Sequence, residues 1–209
     1  MNGTEKLLGF DARLMGTELI TNWTQERRGL YLLRQDTELI LSTDTLVWPS
    51  IFSREVLLSL EQTINSALFL WCDSQQLLSY LECGSNIVIQ RPYWVIGITL
   101  VINSMSRSDQ EMWEPFLSST TPISLSPTWT FLGYDISDMG FLSGLSNCGY
   151  KTEERESLME RYVSSLNRYH LFSNLSDATK FRDLTNLRVS EQAPFFVYGL
   201  YQIYDCSSP

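Results

Sequence analysis

The sequence predicts an α+β fold, a single domain over residues 1–209 with a largely antiparallel sheet packed against several helices. Three observations predict it. Stretches rich in aliphatic, β-branched and aromatic residues at 30–33, 39–41, 45–48, 86–89, 93–102, 129–134 and 195–204 read as strands. Between them fall runs with apolar residues every three or four positions, the helical period. The two kinds come in clusters rather than in strict alternation, which argues against a parallel sheet, and no repeat of roughly 20–50 residues recurs.

Taken in order, Leu30-Tyr31-Leu32-Leu33 and Leu39-Ile40-Leu41 flank the polar break 34–38, short enough for a hairpin. The segment 45–48 ends at Pro49, which cannot donate to a ladder. Ser53 can cap a helix with apolar residues at Val56, Leu57, Leu60, Ile64, Leu68 and Trp71. Asp73 with Gln76 forms a capping pair that opens a second helix through Leu77, Leu78 and Leu81, stopped by Gly84. The strands 86–89 and 93–102 are separated by Gln90-Arg91-Pro92, and the second is so continuously apolar that both its faces are expected to be covered. Ser108 with Glu111 marks a brief helix with Pro115 near its end, and the Ser/Thr/Pro-rich stretch 117–127 reads as a surface loop.

After the strand 129–134, Thr152 caps a helix with Leu158, Tyr162, Leu166 and Tyr169 on one face and Glu153, Glu154, Glu156 and Glu160 on the other. Ser176 caps a further helix carrying Ala178, Phe181, Leu184 and Leu187. The last strand, 195–204, has aromatic residues on both faces.

Composition bounds the function. A 209-residue chain buries roughly 70% of its unfolded surface, which supports a core without disulfides or metals. Lys and Arg number 15 against 24 Asp and Glu, a formal charge of −9. Binding to phosphate needs cationic side chains that displace counterions, so direct nucleic-acid contact is disfavoured, and contact with anionic lipid with it. The field favours a basic partner instead. The N-terminus Met1-Asn2-Gly3-Thr4-Glu5-Lys6 lacks a basic run followed by an apolar one, and the longest apolar stretch, 93–102, falls far short of the ~20 residues that cross a bilayer. With sparse cysteines at 72, 83, 148 and 206, the expectation is a cytoplasmic protein with reduced thiols.

Most catalytic constellations are missing. The one histidine, His170, rules out two-His zinc motifs and two-His-carboxylate iron sites. There is no CxxC pair, no Walker A loop and no GxGxxG, so neither a metal nor a cofactor is expected. The segment 143–150, small residues flanked by Gly144 and Gly149, has the texture of a site. Cys148 with His170, oriented by Asp135 or Asp177, would make a thiolate–imidazole pair; the alternative is a structural turn with His170 capping a helix end. Asp135 with Asp138, or Asp109 with Glu111 and Glu114, could serve as paired carboxylates, or as helix caps and first-turn anions. Partner-binding candidates are Glu153, Glu154, Glu156, Glu160, Asp135 and Asp138, with Trp48, Trp113 and Trp129 as aromatic anchors.

The stretch 129–150, WTFLGYDISDMGFLSGLSNCGY, taken with this acidic, motif-poor profile, resembles immunity proteins that accompany polymorphic and contact-dependent growth-inhibition toxins of bacteria. It spans about a tenth of the chain and transfers no catalytic residue. The resemblance implies a cytoplasmic, non-catalytic protein that binds a cognate toxin domain, basic and nuclease-type, and occludes its active site. A thiol enzyme using Cys148 and His170, or a structural or oligomerising subunit, is the alternative.

Overall fold

A computed structural model describes residues 5–16, 40–45, 64–65, 68–83, 93–118, 125–141, 143–145, 152–188 and 193–206. Among them are the strands β1 (Glu5–Gly16), β2 (Ile40–Thr45), β3 (Ile64–Asn65), β4 (Leu70–Trp71), β5 (Tyr93–Val101), β6 (Thr130–Ser137) and β7 (Phe196–Cys206). The helices are α1 (Ser74–Cys83), α2 (Arg107–Ser118), α3 (Thr152–Tyr162) and α4 (Leu175–Arg188), with single 3₁₀ turns at Ile102–Ser104 and Val163–Ser165. The fold class is α+β with a largely antiparallel sheet. The expected elements at 30–33, 53–63 and 86–89 lie outside the described residues, as do 46–48 of the expected strand 45–48, with Trp48, and most of the loop 117–127.

The chain divides into two compact units, one of residues 1–15, 44–131 and 201–209, the other of 16–43 and 132–200. In the first, the strand order is β3-β4-β1-β5; β7, divided between the units at Tyr201, has β6 as a neighbour, and β6 is the last strand in the order. Strand β2 pairs with β1.

Strand β1 was not among the elements the sequence predicts. It runs antiparallel to β5, with Lys6 opposite Leu100, Phe10 opposite Gly97 and Leu14 opposite Tyr93. Two features hide it from a period-two reading. The register shifts between Leu7 and Gly9, where Gly9 sits at φ 156°, so the alternation slips by one residue. Asp11 and Arg13 then occupy buried positions as an ion pair, Arg13 Nε donating to Asp11 Oδ2 at 3.0 Å, so polar residues stand where apolar ones are expected.

Strand β5 is buried along both faces, as its near-continuous apolar sequence predicts. On one face, Val95 joins Leu7, Phe10, Ala12, Ile64, Trp71 and, from α1, Leu77 and Leu81 in a single core cluster. The helix α1 starts where the sequence places it: Asp73 Oδ1 accepts the Gln76 N–H at 2.8 Å, satisfying one of the donors a helix start leaves open.

The periodicity through Ile64, Leu68 and Trp71 predicts helix, but the chain there is a hairpin with Ile64 opposite Trp71 and Asn65 opposite Leu70. Asn65 explains the change. Its carbonyl accepts the N–H of Phe69 at 2.6 Å and its side-chain oxygen accepts that of Leu68 at 3.2 Å, closing a tight turn locally. Ile64, Leu68 and Trp71 are buried in either conformation, so the pattern of burial alone does not separate the two.

Three helix boundaries also move. Ser106, not Ser108, caps α2: its hydroxyl accepts the Asp109 N–H and the Asp109 carboxylate accepts the Ser106 N–H, both at 3.2 Å. That helix continues through Pro115 to Ser118. Asn174, not Ser176, caps α4, accepting the Asp177 N–H at 2.9 Å, and the buried face of α4 carries Ala178, Phe181, Arg182 and Thr185 while Leu187 is exposed. The helix α3 ends at Tyr162, and a 3₁₀ turn leads to an extended Leu166 that bridges to Phe172.

The core of the second unit gathers Tyr162, Phe172 and Phe181, whose ring centroids lie 5.2–6.4 Å apart. Strand β6 would otherwise expose an open edge. Tyr134 exchanges two 2.9 Å backbone hydrogen bonds with Phe172, Gly144 donates to the Ile136 carbonyl, and the Asn167 amide donates to the Leu132 carbonyl at 2.6 Å. The edge is thereby covered by the chain's own loops.

Candidate functional site

The sequence predicts strand over 129–134, but β6 continues to Ser137, which draws Asp135 inside while Asp138 stands just beyond the strand end. Asp135 is buried and accepts three short hydrogen bonds. Its Oδ1 accepts the Ser143 hydroxyl at 2.6 Å and the Ile136 N–H at 2.8 Å, and its Oδ2 accepts the Ser137 hydroxyl at 2.8 Å. These donors make a buried carboxylate tolerable, and they tie the loop at Ser143 to β6. Asp135, one of the expected partner-binding residues, is thus held inside the fold at 6% exposure.

Asp138 is half-buried and closes a turn by accepting the Gly140 N–H at 2.8 Å. Its backbone carbonyl accepts the Tyr198 hydroxyl at 3.1 Å. Burial pushes the Tyr198 phenol well above its ordinary range, and the negative charges of Asp138 and Asp135 push it the same way. The sign of the consequence follows. Above about pH 10 the unfolded chain ionises this phenol while the folded chain keeps its proton, so stability present at lower pH is lost as the pH climbs. Tyr198→Phe is expected to lose the hydrogen bond, ~1 kcal/mol, at neutral pH and to flatten the loss above pH 10. Urea midpoints from pH 8 to 11 check this, and an unchanged alkaline slope in the variant would contradict it.

His170 does not end a helix. It is buried in a turn at φ 60°, with its N–H on the Asn167 carbonyl at 3.0 Å. The turn is organised by Asn167, whose side-chain oxygen accepts the N–H groups of Tyr169 and Leu171. Asp177, the alternative orienting carboxylate, is committed elsewhere. The Asn174 amide and the Ser165 hydroxyl, with Lys180 as a lesser contributor, hold its carboxyl below the usual range at the start of α4. Cys148 lies outside the described residues, so the pairing of Cys148 with His170 lies outside them too. Cys72 is exposed, yet partial burial of its thiol raises its pKa, the opposite of an activated thiolate. Among the described residues, no group of three or more His, Cys, Asp or Glu is placed to hold a metal ion.

The acidic helix is where the sequence places it. Glu156 and Glu160 are exposed one turn apart on α3, and Glu153 and Glu154 belong to its first turn, with side chains outside the described residues. Arg161, also exposed, lies over the Tyr162 ring at 5.5 Å. Trp113 is fully buried and belongs to the core rather than to a docking surface. Trp129 is half-buried, its ring edge-on to Phe10 at 5.7 Å.

One arrangement was not foreseen from the sequence. Glu5 Oε2 accepts the Thr99 hydroxyl at 2.7 Å and the Tyr201 hydroxyl at 2.8 Å. The Tyr201 ring in turn lies 5.1 Å from Phe131 and 6.5 Å from Trp129. No local signal points to it, because the residues stand 94 and 196 positions apart along the chain. Comparison with protein-family models, with curated proteins and with solved structures gave no match.

Proposed function

We propose that the chain is a non-catalytic inhibitor, acting in the cytoplasm, that binds a basic toxin domain of nuclease type and occludes its active site. The observation that carries the reading is the charge: −9 overall, with Glu156 and Glu160 exposed on one helix whose first turn adds Glu153 and Glu154. A field of this sign accelerates encounter with a basic domain and competes with the phosphate such a domain cleaves. The resemblance of 129–150 to immunity proteins points the same way. The two carboxylates that a thiol-enzyme reading would recruit to orient His170 have structural work in the fold. Asp135 ties a loop to β6 and Asp177 belongs to the start of α4. An inhibitor needs a rigid surface of ~800 Å² and no nucleophile.

Affinity capture of the full chain from its native host tests the proposal. The expected result is a basic protein bound in fixed stoichiometry, whose nucleic-acid-cleaving activity disappears when the chain is added in excess. Recovery of no basic protein, or of one that stays fully active at saturating chain, would overturn it.

A further inference from the structure

We infer that Glu5, Phe131, Trp129 and Tyr201 form a seat for one cationic side chain, an arginine or lysine of the basic partner. The inference rests on the preceding reading for the source of that cation. Its own support is geometric. Glu5 lies on β1 and Thr99 on the neighbouring β5, where Thr99 is opposite Leu7, so Glu5 and Thr99 are diagonal neighbours on one face. Tyr201, on β7, donates from its hydroxyl to the same carboxylate oxygen. Two hydroxyl donors to one oxygen fix the direction of the carboxylate before any ligand arrives, which removes part of the entropic cost of binding.

The aromatic component is attached to the same tyrosine. The Tyr201 ring leans on Phe131 at 5.1 Å with a 53° tilt and faces Trp129 at 6.5 Å. Tyr201 is 8% exposed, whereas Phe131 is 39% exposed and Trp129 half-buried, so the rings grade from core to solvent. A cation is attracted both by a carboxylate and by the π-face of a ring, and guanidinium can stack on one while donating to the other. Lys6, the neighbour in sequence, does not oppose this. Successive strand residues point to opposite faces, and Lys6 lines a cleft of ~490 Å³ with Arg107, Gln110 and Glu114.

The test uses the free chain and a small probe. N-acetyl-arginine amide is titrated while the indole N–H signal of Trp129 is followed by NMR, with N-acetyl-norleucine amide as the neutral control of similar reach. A saturable shift is expected with the arginine probe at millimolar concentration and none with norleucine. Glu5→Gln keeps an acceptor for Thr99 and Tyr201 but removes the charge, and is expected to weaken the arginine probe about tenfold. Phe131→Ala, at an exposed position, is expected to weaken it about two- to fivefold. Absence of a saturable shift, an equal shift with norleucine, or unchanged affinity in Glu5→Gln would overturn the seat. Should Glu5→Gln fail to fold, Phe131→Ala decides, and unchanged affinity there overturns the seat equally. Because no partner enters this experiment, its failure removes the seat and leaves the capture experiment to judge the inhibitor reading.

Discussion

Replacing Gly133 with alanine is expected to destabilise the protein by ~3 kcal/mol or more, through positive-φ strain and overpacking together. Gly133 lies inside β6 at φ 144°, a conformation that L side chains rarely adopt. A Cβ built there would stand 2.6 Å from the Leu171 Cβ, 2.9 Å from the Asn167 amide nitrogen and 3.0 Å from the Phe172 carbonyl oxygen. None of the three yields cheaply. Leu171 is buried, the Asn167 amide is committed to the Leu132 carbonyl, and Phe172 is held by its paired hydrogen bonds to Tyr134. The loop that covers the β6 edge would have to lift, and the edge would be left open. A loss of this size is a large share of a typical total stability of ~5–15 kcal/mol. Urea denaturation of the purified variant measures it, and a loss under ~1 kcal/mol would show that the loop is not packed as described.

Reversing Glu156 and Glu160 to lysine together is expected to slow association with the captured partner by about tenfold at low salt, with a smaller change in dissociation. Two reversals shift the formal charge by four units, from −9 to −5. Both positions are exposed, and Glu160 stands in the last turn of α3, where a cation suits the helix dipole. Exposed charges contribute little to folding, so the free protein should keep its stability while the encounter slows. The dependence of the association rate on salt should become shallower in the same variant. Stopped-flow binding at low and moderate ionic strength, on variants confirmed to be folded, reads both quantities. Equal association rates at both salts for variant and parent would place the interface away from α3.

How far the sequence could be read depended on the range of the interactions. The α+β class, the acidic charge, the start of α1 at Asp73 and the two-sided burial of β5 are all written in short windows, because capping and continuous apolar character act between near neighbours. The Glu-rich helix was legible for the same reason. Where two conformations bury the same residues, the periodicity could not choose: Ile64, Leu68 and Trp71 suit a helix stripe, and a local turn at Asn65 made them a hairpin instead. Strand β1 escaped because its polar residues are paired inside the protein rather than turned to water.

The rest belonged to the tertiary structure. Asp135 read as a surface carboxylate until Ser143 and Ser137 were seen to supply its hydrogen bonds. Glu5 carried no signal at all until folding brought Thr99 and Tyr201 to the same oxygen. A charged residue is placed by whichever donors reach it. When those donors stand far along the chain, only the closing of the sheet determines whether it faces water, the core or a ligand.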